Sequence, residues 1–188
     1  MSSAKAFRIR RAADILLGGG LITHPTEAVW GMACLPNFPA ATARLLDLKQ
    51  RHPAKGLILV AHDAGCFASL IDPLPVEVRE RMLAAWPGPV TFVVPDPDGW
   101  APPWVRGSHD SVAIRVSGHP LTAALSRAVD SPLISTSANP SGANPARTAL
   151  KARQYFGEQL DYYLVGETGG ASRPSRILNA LTGEAFRE

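Results

Sequence analysis

The chain predicts an α/β fold in one domain, residues 1–188, built on a partly parallel, mixed sheet with flanking helices. Segments of helical and of extended periodicity alternate along its whole length, with no internal repeat and no low-complexity tract. Leu57-Ile-Leu-Val60 is apolar throughout, as in a strand buried on both faces, whereas Ser111-Val-Ala-Ile-Arg-Val-Ser117 alternates, as in a strand with two unlike faces. With 46% hydrophobic content, 188 residues suffice for one sizeable core.

Ile9, Ala12, Ala13, Leu16 and Leu17 recur at helical spacing, and Gly18-Gly-Gly20 ends that helix. Leu21-Ile-Thr-His24 is a strand halted by Pro25, followed by a bend, Thr26-Glu-Ala-Val-Trp-Gly31, in which Thr26 is either a loop hydroxyl or a helix N-cap. Residues 40–49 form a second helix with Ala41, Leu45 and Leu48 on one stripe, and the strand at 57–60 follows. Helical patterns at 63–70 and 75–86 come next, the second stopped by Pro87, then a strand at 90–94. Residues 95–110 carry four prolines, two tryptophans and two glycines and read as an irregular loop. After the strand at 111–117, residues 121–129 and 149–156 are helical, and 132–136 and 162–165 are strands. A glycine-rich turn at 166–175 leads into extended pieces at 176–178 and 185–187.

The net charge of +3 and pI of about 9.1 are mild, but the cations are mostly arginine, with only Lys5, Lys49, Lys55 and Lys151 as lysines. That favours bidentate recognition of phosphates or carboxylates. Cys34 and Cys66 lack Cys-x-x-Cys spacing and are expected to be buried free thiols in a reducing compartment. The basic N-terminus is followed by too short an apolar run for a signal peptide or membrane span, so a soluble, cytoplasmic protein is expected. A P-loop is excluded, because the glycine turn at 166–170 has no lysine, and no Gly-x-Ser-x-Gly elbow is present. His62 and Cys66 are four apart but have no further ligands for zinc.

Two stretches concentrate the remaining chemistry. Lys49, Arg51 and Lys55 crowd the connection between a helix and a buried strand, which suits either a solvated loop or an array of phosphate oxygens. Pro132-Leu-Ile-Ser-Thr-Ser-Ala-Asn-Pro-Ser-Gly142 runs a short strand into hydroxyls and an amide. Adjacent strand ends would bring both to one crevice. Arg115 sits in mid-strand with Ser and Ala neighbours, either on a solvent face or on a small-residue floor beneath a ligand. No residue among these is an obvious base or nucleophile, so positioning and charge stabilisation would carry the chemistry, as in transfer at phosphorus.

These stretches belong to a longer series: His24-Pro-Thr-Glu-Ala-Val-Trp-Gly31, Leu48-Lys-Gln-Arg51 with Lys55-Gly-Leu-Ile-Leu59, Trp86-Pro-Gly-Pro-Val-Thr91, Ser111-Val-Ala-Ile-Arg115, Ser135-Thr-Ser-Ala-Asn139 and Leu181-Thr-Gly-Glu-Ala-Phe-Arg187. In order and spacing the series resembles the YrdC family, nearest its short bacterial threonylcarbamoyl-AMP synthase branch. The resemblance implies a twisted sheet with a concave, positively charged cavity. It further implies synthesis of threonylcarbamoyl-AMP and pyrophosphate from L-threonine, bicarbonate and ATP, for the proteins that modify tRNA with threonylcarbamoyladenosine. By position, Lys49 and Arg51 would act at the phosphates; Lys55, Ser111, Ser137 and Asn139 would join Arg51 in binding ATP, and Arg187 would close over it. Thr26, Arg115, Ser135 and Ser175 would hold threonine. Mg2+ is expected to arrive with ATP, held by phosphates and water, with no protein metal site. His24 stands where many relatives have tyrosine, and Ala28 where many have threonine. Two other readings are a non-catalytic RNA-binding module, for which no aromatic stacking platform is interleaved with the cations, and a carbamoyl-adenylate-forming domain of the hydrogenase-maturation type.

Overall fold

The computed structural model describes residues 3–187, with side chains described for 3–186. In chain order its elements are α1 (Ser3–Leu17), β1 (Ile22–Pro25), β2 (Trp30–Cys34), α2 (Pro39–Lys49), β3 (Ile58–Ala61), α3 (Ala68–Ile71), α4 (Val76–Ala85), β4 (Val90–Pro95), α5 (Pro103–Arg106), β5 (Ser111–Val116), α6 (Pro120–Ala128), β6 (Leu133–Ser137), α7 (Ala149–Phe156), β7 (Tyr162–Tyr163), β8 (Arg176–Asn179) and β9 (Ala185–Arg187). The strands form one sheet in the order β7-β1-β2-β6-β3-β5-β4-β8-β9. β1 with β7, β3 with β5, and β4 with β8 are parallel; the other neighbours are antiparallel. This is the α/β class with a mixed sheet that the sequence predicts.

Three local readings differ from the observed chain. β2 was hidden inside and beyond the bend at 26–31, because all five of its residues are buried and so show no alternation, and none is β-branched. The helix expected at 63–70 is a 3₁₀ turn, Ala64–Phe67, followed by one turn of α-helix, α3. Asp63 caps that turn by accepting from the Gly65 N–H, and Gly65 disfavours a longer helix. The loop at 95–110 contains the single turn α5, started by Pro103.

Side-chain alternation along the strands divides the interior into two cores. Trp30, Met32, Cys34, Leu57, Leu59, Phe92, Val94, Val112, Ile114 and Ile134 point to one face, where α2, α4 and α7 cover them through Leu45, Met82 and Phe156. On the opposite face, Ile22, Ala33 and Leu133 are covered by Ile9, Leu16 and Leu125 of α1 and α6. Each fully buried Leu or Ile contributes about 1.5–3 kcal/mol. The second cover extends over only part of its face, and the remainder is concave and open to ligands.

The chain around Lys49 to Lys55 is shaped by backbone geometry. α2 ends in a Schellman closure: Gln50 adopts the left-handed conformation, its N–H reaches Asp47 O, and the Arg51 N–H reaches Leu46 O. Arg51 is thereby turned away from the helix axis. The 3₁₀ turn Pro53–Lys55 then packs against the end of α5, with Leu57 N–H donating to Val105 O and Ser108 N–H to Ala54 O. Both sides of this contact need glycine. A Cβ on Gly56 would lie 2.8 Å from Arg106 O, and one on Gly107 2.6 Å from Ala54 O. Both residues also have positive φ. We expect Gly107→Ala to lower the unfolding free energy in urea by about 2–4 kcal/mol, since strain and overlap add. Gly157→Ala, at positive φ but with nothing near its Cβ, should cost only about 1 kcal/mol. Equal losses at the two positions would contradict the close contact.

Candidate active site

The open part of the sheet face is lined chiefly by residues of one alternation set. Gly31 comes from β2, Ile58 and Val60 from β3, Val93 from β4, Ser111, Ala113 and Arg115 from β5, Ser135 and Ser137 from β6, and Ile177 from β8. Register brings them side by side: Ser137 lies beside Gly31, Ser135 beside Ile58, Ile58 beside Ala113, and Val60 beside Arg115. Together with the loops above them these residues enclose a cavity of about 640 Å³, within the usual range for small-molecule sites. Small side chains make the floor. Gly31 lets Thr26 approach Ser135, because a Cβ there would lie 3.2 Å from Thr26 Cγ2 and 3.5 Å from Ser135 Oγ.

Thr26, Lys49, Arg51, Lys55, Ser111, Arg115, Ser135, Ser137, Asn139 and Ser175 all line this cavity. Arg187 is paired with Ile177 in β9, but its side chain lies outside the described residues, so a closing role is not visible. Two of the polar residues brace the walls. The Lys49 ammonium is buried and donates to the carbonyls of Ser137 and Asn139, the latter at 2.8 Å, while the Ser141 N–H donates to Lys49 O. The Asn139 amide donates to Pro140 O and Ala143 O, at 2.9 and 2.8 Å. Burial, and then neighbouring Arg51, bring the Lys49 pKa down to about 8. The Arg51 guanidinium donates to Gly56 O at 2.8 Å, closing the turn that presents Lys55. The Thr26 hydroxyl donates to Val29 O, and Thr91 donates to the Ser175 hydroxyl.

At the other end of the floor Arg115 is 7% exposed and faces Glu27, with Nη2 3.5 Å from Oε2. Glu27 Oε1 accepts from the Ser117 hydroxyl at 2.7 Å and the Gly118 N–H at 3.1 Å. Burial works to raise the Glu27 pKa, but Arg115 and the Ser117 hydroxyl outweigh it and hold the group below the ordinary carboxylate range. Among the described lining residues, five cations stand against this one carboxylate. No group of three or more His, Cys, Asp or Glu that could hold a metal occurs among the described residues. Cys34 is buried, Cys66 is partly exposed, and both are free thiols. Burial raises the pKa of both, and neither lines the cavity.

Residues 14–188 match the Sua5/YciO/YrdC family, described as "Telomere recombination". The chain belongs to this family. It is 48% identical over 183 residues to the threonylcarbamoyl-AMP synthase of Hahella chejuensis, covering 97% of this chain and 99% of that protein. It is 46% identical over 186 residues to the threonylcarbamoyl-AMP synthase of Marinobacter nauticus, covering 99% and 98%. Among solved structures, P. abyssi Sua5 complexed with L-threonine superposes with a TM-score of 0.87 at 25% identity, covering 95% of this chain. This chain spans 52% of that Sua5 chain.

Within this Sua5/YciO/YrdC fold three titratable lining residues, Glu27, Arg106 and His109, lie outside the set expected from the sequence. Glu27 was visible beside Thr26, but nothing in the linear sequence shows that it meets Arg115. Arg106 and His109 lie in the stretch read as loop, where buried Asp96 organises the chain by accepting from the Trp100 and Ala101 N–H groups and pairing with Arg106 at 3.6 Å. No helix among the described residues is long and apolar enough to cross a membrane.

His24, paired in register with Gly31 of the cavity floor, is fully buried, with Nδ1 3.1 Å from Pro25 O and 3.3 Å from the Thr122 hydroxyl. A carbonyl only accepts, so Nδ1 carries the proton, and Nε2 is buried with no hydrogen-bond partner among the described residues. Protonating Nε2 would bury an unmatched donor and a charge, and burial accordingly lowers the His24 pKa from 6.5 to about 4. Unfolding therefore takes up a proton between those values. The stabilising contribution is complete above pH 6.5 and is lost as pH falls toward 4. Between pH 7 and 5 this one group should remove about 2 kcal/mol of unfolding free energy. His24→Gln should flatten that part of the curve when urea unfolding is followed at both pH values. An unchanged pH slope in the variant would show that His24 titrates normally.

Proposed function

We propose that this chain condenses L-threonine, bicarbonate and ATP into threonylcarbamoyl-AMP and pyrophosphate, as a nucleotidyltransferase whose product passes to the cytoplasmic proteins that modify tRNA. The observation that carries the reading is the single cavity in which Arg115, Thr26 and Ser135 share one floor with Lys49, Arg51 and Lys55. Near-complete alignment with the synthase of Hahella chejuensis supports it.

Arg115 grips the α-carboxylate of threonine, with Ser135 and Thr26 beside it and Ser175 at the rim. The threonine amine gives up a proton and takes up carbon dioxide released from bicarbonate, forming a carbamate. A carbamate oxygen attacks the α-phosphorus of ATP, the bond to the β-phosphate oxygen breaks, and pyrophosphate leaves. Arg51, Lys55 and the one Lys49 N–H not spent on carbonyls meet the charge that shifts onto the phosphate oxygens. Ser111, Ser137 and Asn139 border the nucleotide. ATP enters as its Mg2+ complex, the ion belonging to the substrate.

The decisive assay is pyrophosphate release with and without threonine and bicarbonate; an RNA-binding module would show none. Arg115 contacts a group that is alike in ground and transition states, so Arg115→Ala should raise the threonine KM while sparing kcat. Arg51 meets charge that develops during transfer, and Arg51→Ala should lower kcat by about 10²–10³. A threonine KM unchanged by Arg115→Ala, or adenylate formed without bicarbonate, would overturn these assignments.

A further inference from the structure

The carboxylate of Glu27 is fixed through one of its oxygens. Its Oε1 holds two donors from the end of β5 and the turn after it, the Ser117 hydroxyl and the Gly118 N–H. Oε2 is buried 3.5 Å from Arg115 Nη2 and makes no hydrogen bond among the described residues. Its backbone is pinned as well, since the Ala171 N–H donates to Glu27 O and the Gly169 N–H to Thr26 O, each at 2.9 Å. Arg115 has no such support. Among the described residues Glu27 is its one acidic partner, and its Nε is buried with no hydrogen bond. A long side chain that makes no hydrogen bond to the protein loses affinity for a ligand unless something else holds it in place.

We propose that Glu27 is the positioning residue of the amino-acid subsite: clamped by Ser117 and Gly118, it fixes one edge of the Arg115 guanidinium and leaves the rest of the fork aimed into the cavity for the substrate carboxylate. This rests on the assignment of Arg115 to threonine made above. Glu27 serves the guanidinium rather than the threonine ammonium: Oε1 is spent on Ser117 and Gly118, and Oε2 is buried toward Arg115. It is also not a generic stabiliser of the fold, because its partner is a cavity-lining cation.

The test compares wild type, Glu27→Gln, Glu27→Asp, Arg115→Ala and the Glu27→Gln/Arg115→Ala double variant. Pyrophosphate release is followed with threonine and ATP varied separately, and threonine affinity is measured by calorimetry. 3-Hydroxybutyrate, added as a competing probe, keeps the carboxylate and hydroxyl of threonine but has no amine. Glu27→Gln should raise the threonine KM about tenfold and weaken 3-hydroxybutyrate to a similar degree, with ATP KM and kcat within about threefold of wild type. Glu27→Asp should recover part of the loss, and the double variant should bind threonine no worse than Arg115→Ala alone. Ser117→Ala, which loosens the clamp without removing a charge, should move threonine KM the same way by a few-fold.

Three results would overturn the proposal. One is an unchanged threonine KM in Glu27→Gln. Another is weaker threonine with unchanged 3-hydroxybutyrate, which would place the ammonium on Glu27. The third is a parallel loss of threonine affinity, ATP affinity and stability. If wild type binds threonine and Glu27→Gln loses it, yet no pyrophosphate is released, the synthase reading fails while the role of Glu27 stands.

Discussion

Strand register is the constraint on which the rest of this structure depends. Along β5 the apolar set Val112, Ile114 and Val116 enters the larger core, and Ser111, Ala113 and Arg115 take the opposite face. A slip of one residue would exchange the two sets, burying a guanidinium among leucines and emptying the core. β6 obeys the same rule, with Ile134 in the core and Ser135 and Ser137 on the floor. Because β3 pairs with both strands, its register aligns the serines of β6 with the arginine of β5 across the cavity floor. Folding and active-site assembly are therefore one event: the burial that selects the register also builds the floor.

The cavity needs polar groups that the core would reject, and the chain meets their desolvation cost with backbone carbonyls. Lys49 lies almost fully buried at the end of α2, and two of its three N–H groups go to carbonyls at the end of β6. Asn139 spends its amide on the next turn in the same way. Such groups rigidify the site, because moving one leaves several partners unmatched. The same bonds explain why Lys49 and Arg51, neighbours on paper, differ in the fold. The left-handed turn at Gln50 keeps Lys49 inside the wall and swings Arg51 to its surface.

The elements most legible in the sequence were those whose two faces differ. The alternation of 111–117 announced β5 and its anomalous arginine, and the stripe at Ala41, Leu45 and Leu48 announced α2. β2 was not legible, because a strand buried on both sides carries no periodic signal. Nor was the one-turn α5, too short for a helical period to repeat. Among cavity-lining residues, the cations and hydroxyls were legible because their types and spacing are unusual. Glu27 was not, since its role arises from a contact between residues 88 positions apart. Arg106 and His109 were masked by prolines and tryptophans whose order comes from buried Asp96, a tertiary feature.

Charge is distributed unevenly along the cavity, and that unevenness fits two different reactants. At one end Arg115 and Glu27 form a near-neutral, strongly dipolar pair; at the other, Lys49, Arg51 and Lys55 have no carboxylate beside them among the lining residues. The single carboxylate of an amino acid is matched by the one cation of the first environment, and a triphosphate by the three cations of the second, where partial burial strengthens each charge contact. A triphosphate bound at the Arg115 end would face Glu27, and an amino acid at the lysine end would set its ammonium against three cations. On the proposed function, this gradient orders the two substrates head to tail before any bond changes. It also makes positioning and charge the chief contribution of the lining side chains, since a floor that fixes the carbamate against the α-phosphorus supplies proximity and charge stabilisation, the two contributions that transfer at phosphorus chiefly requires.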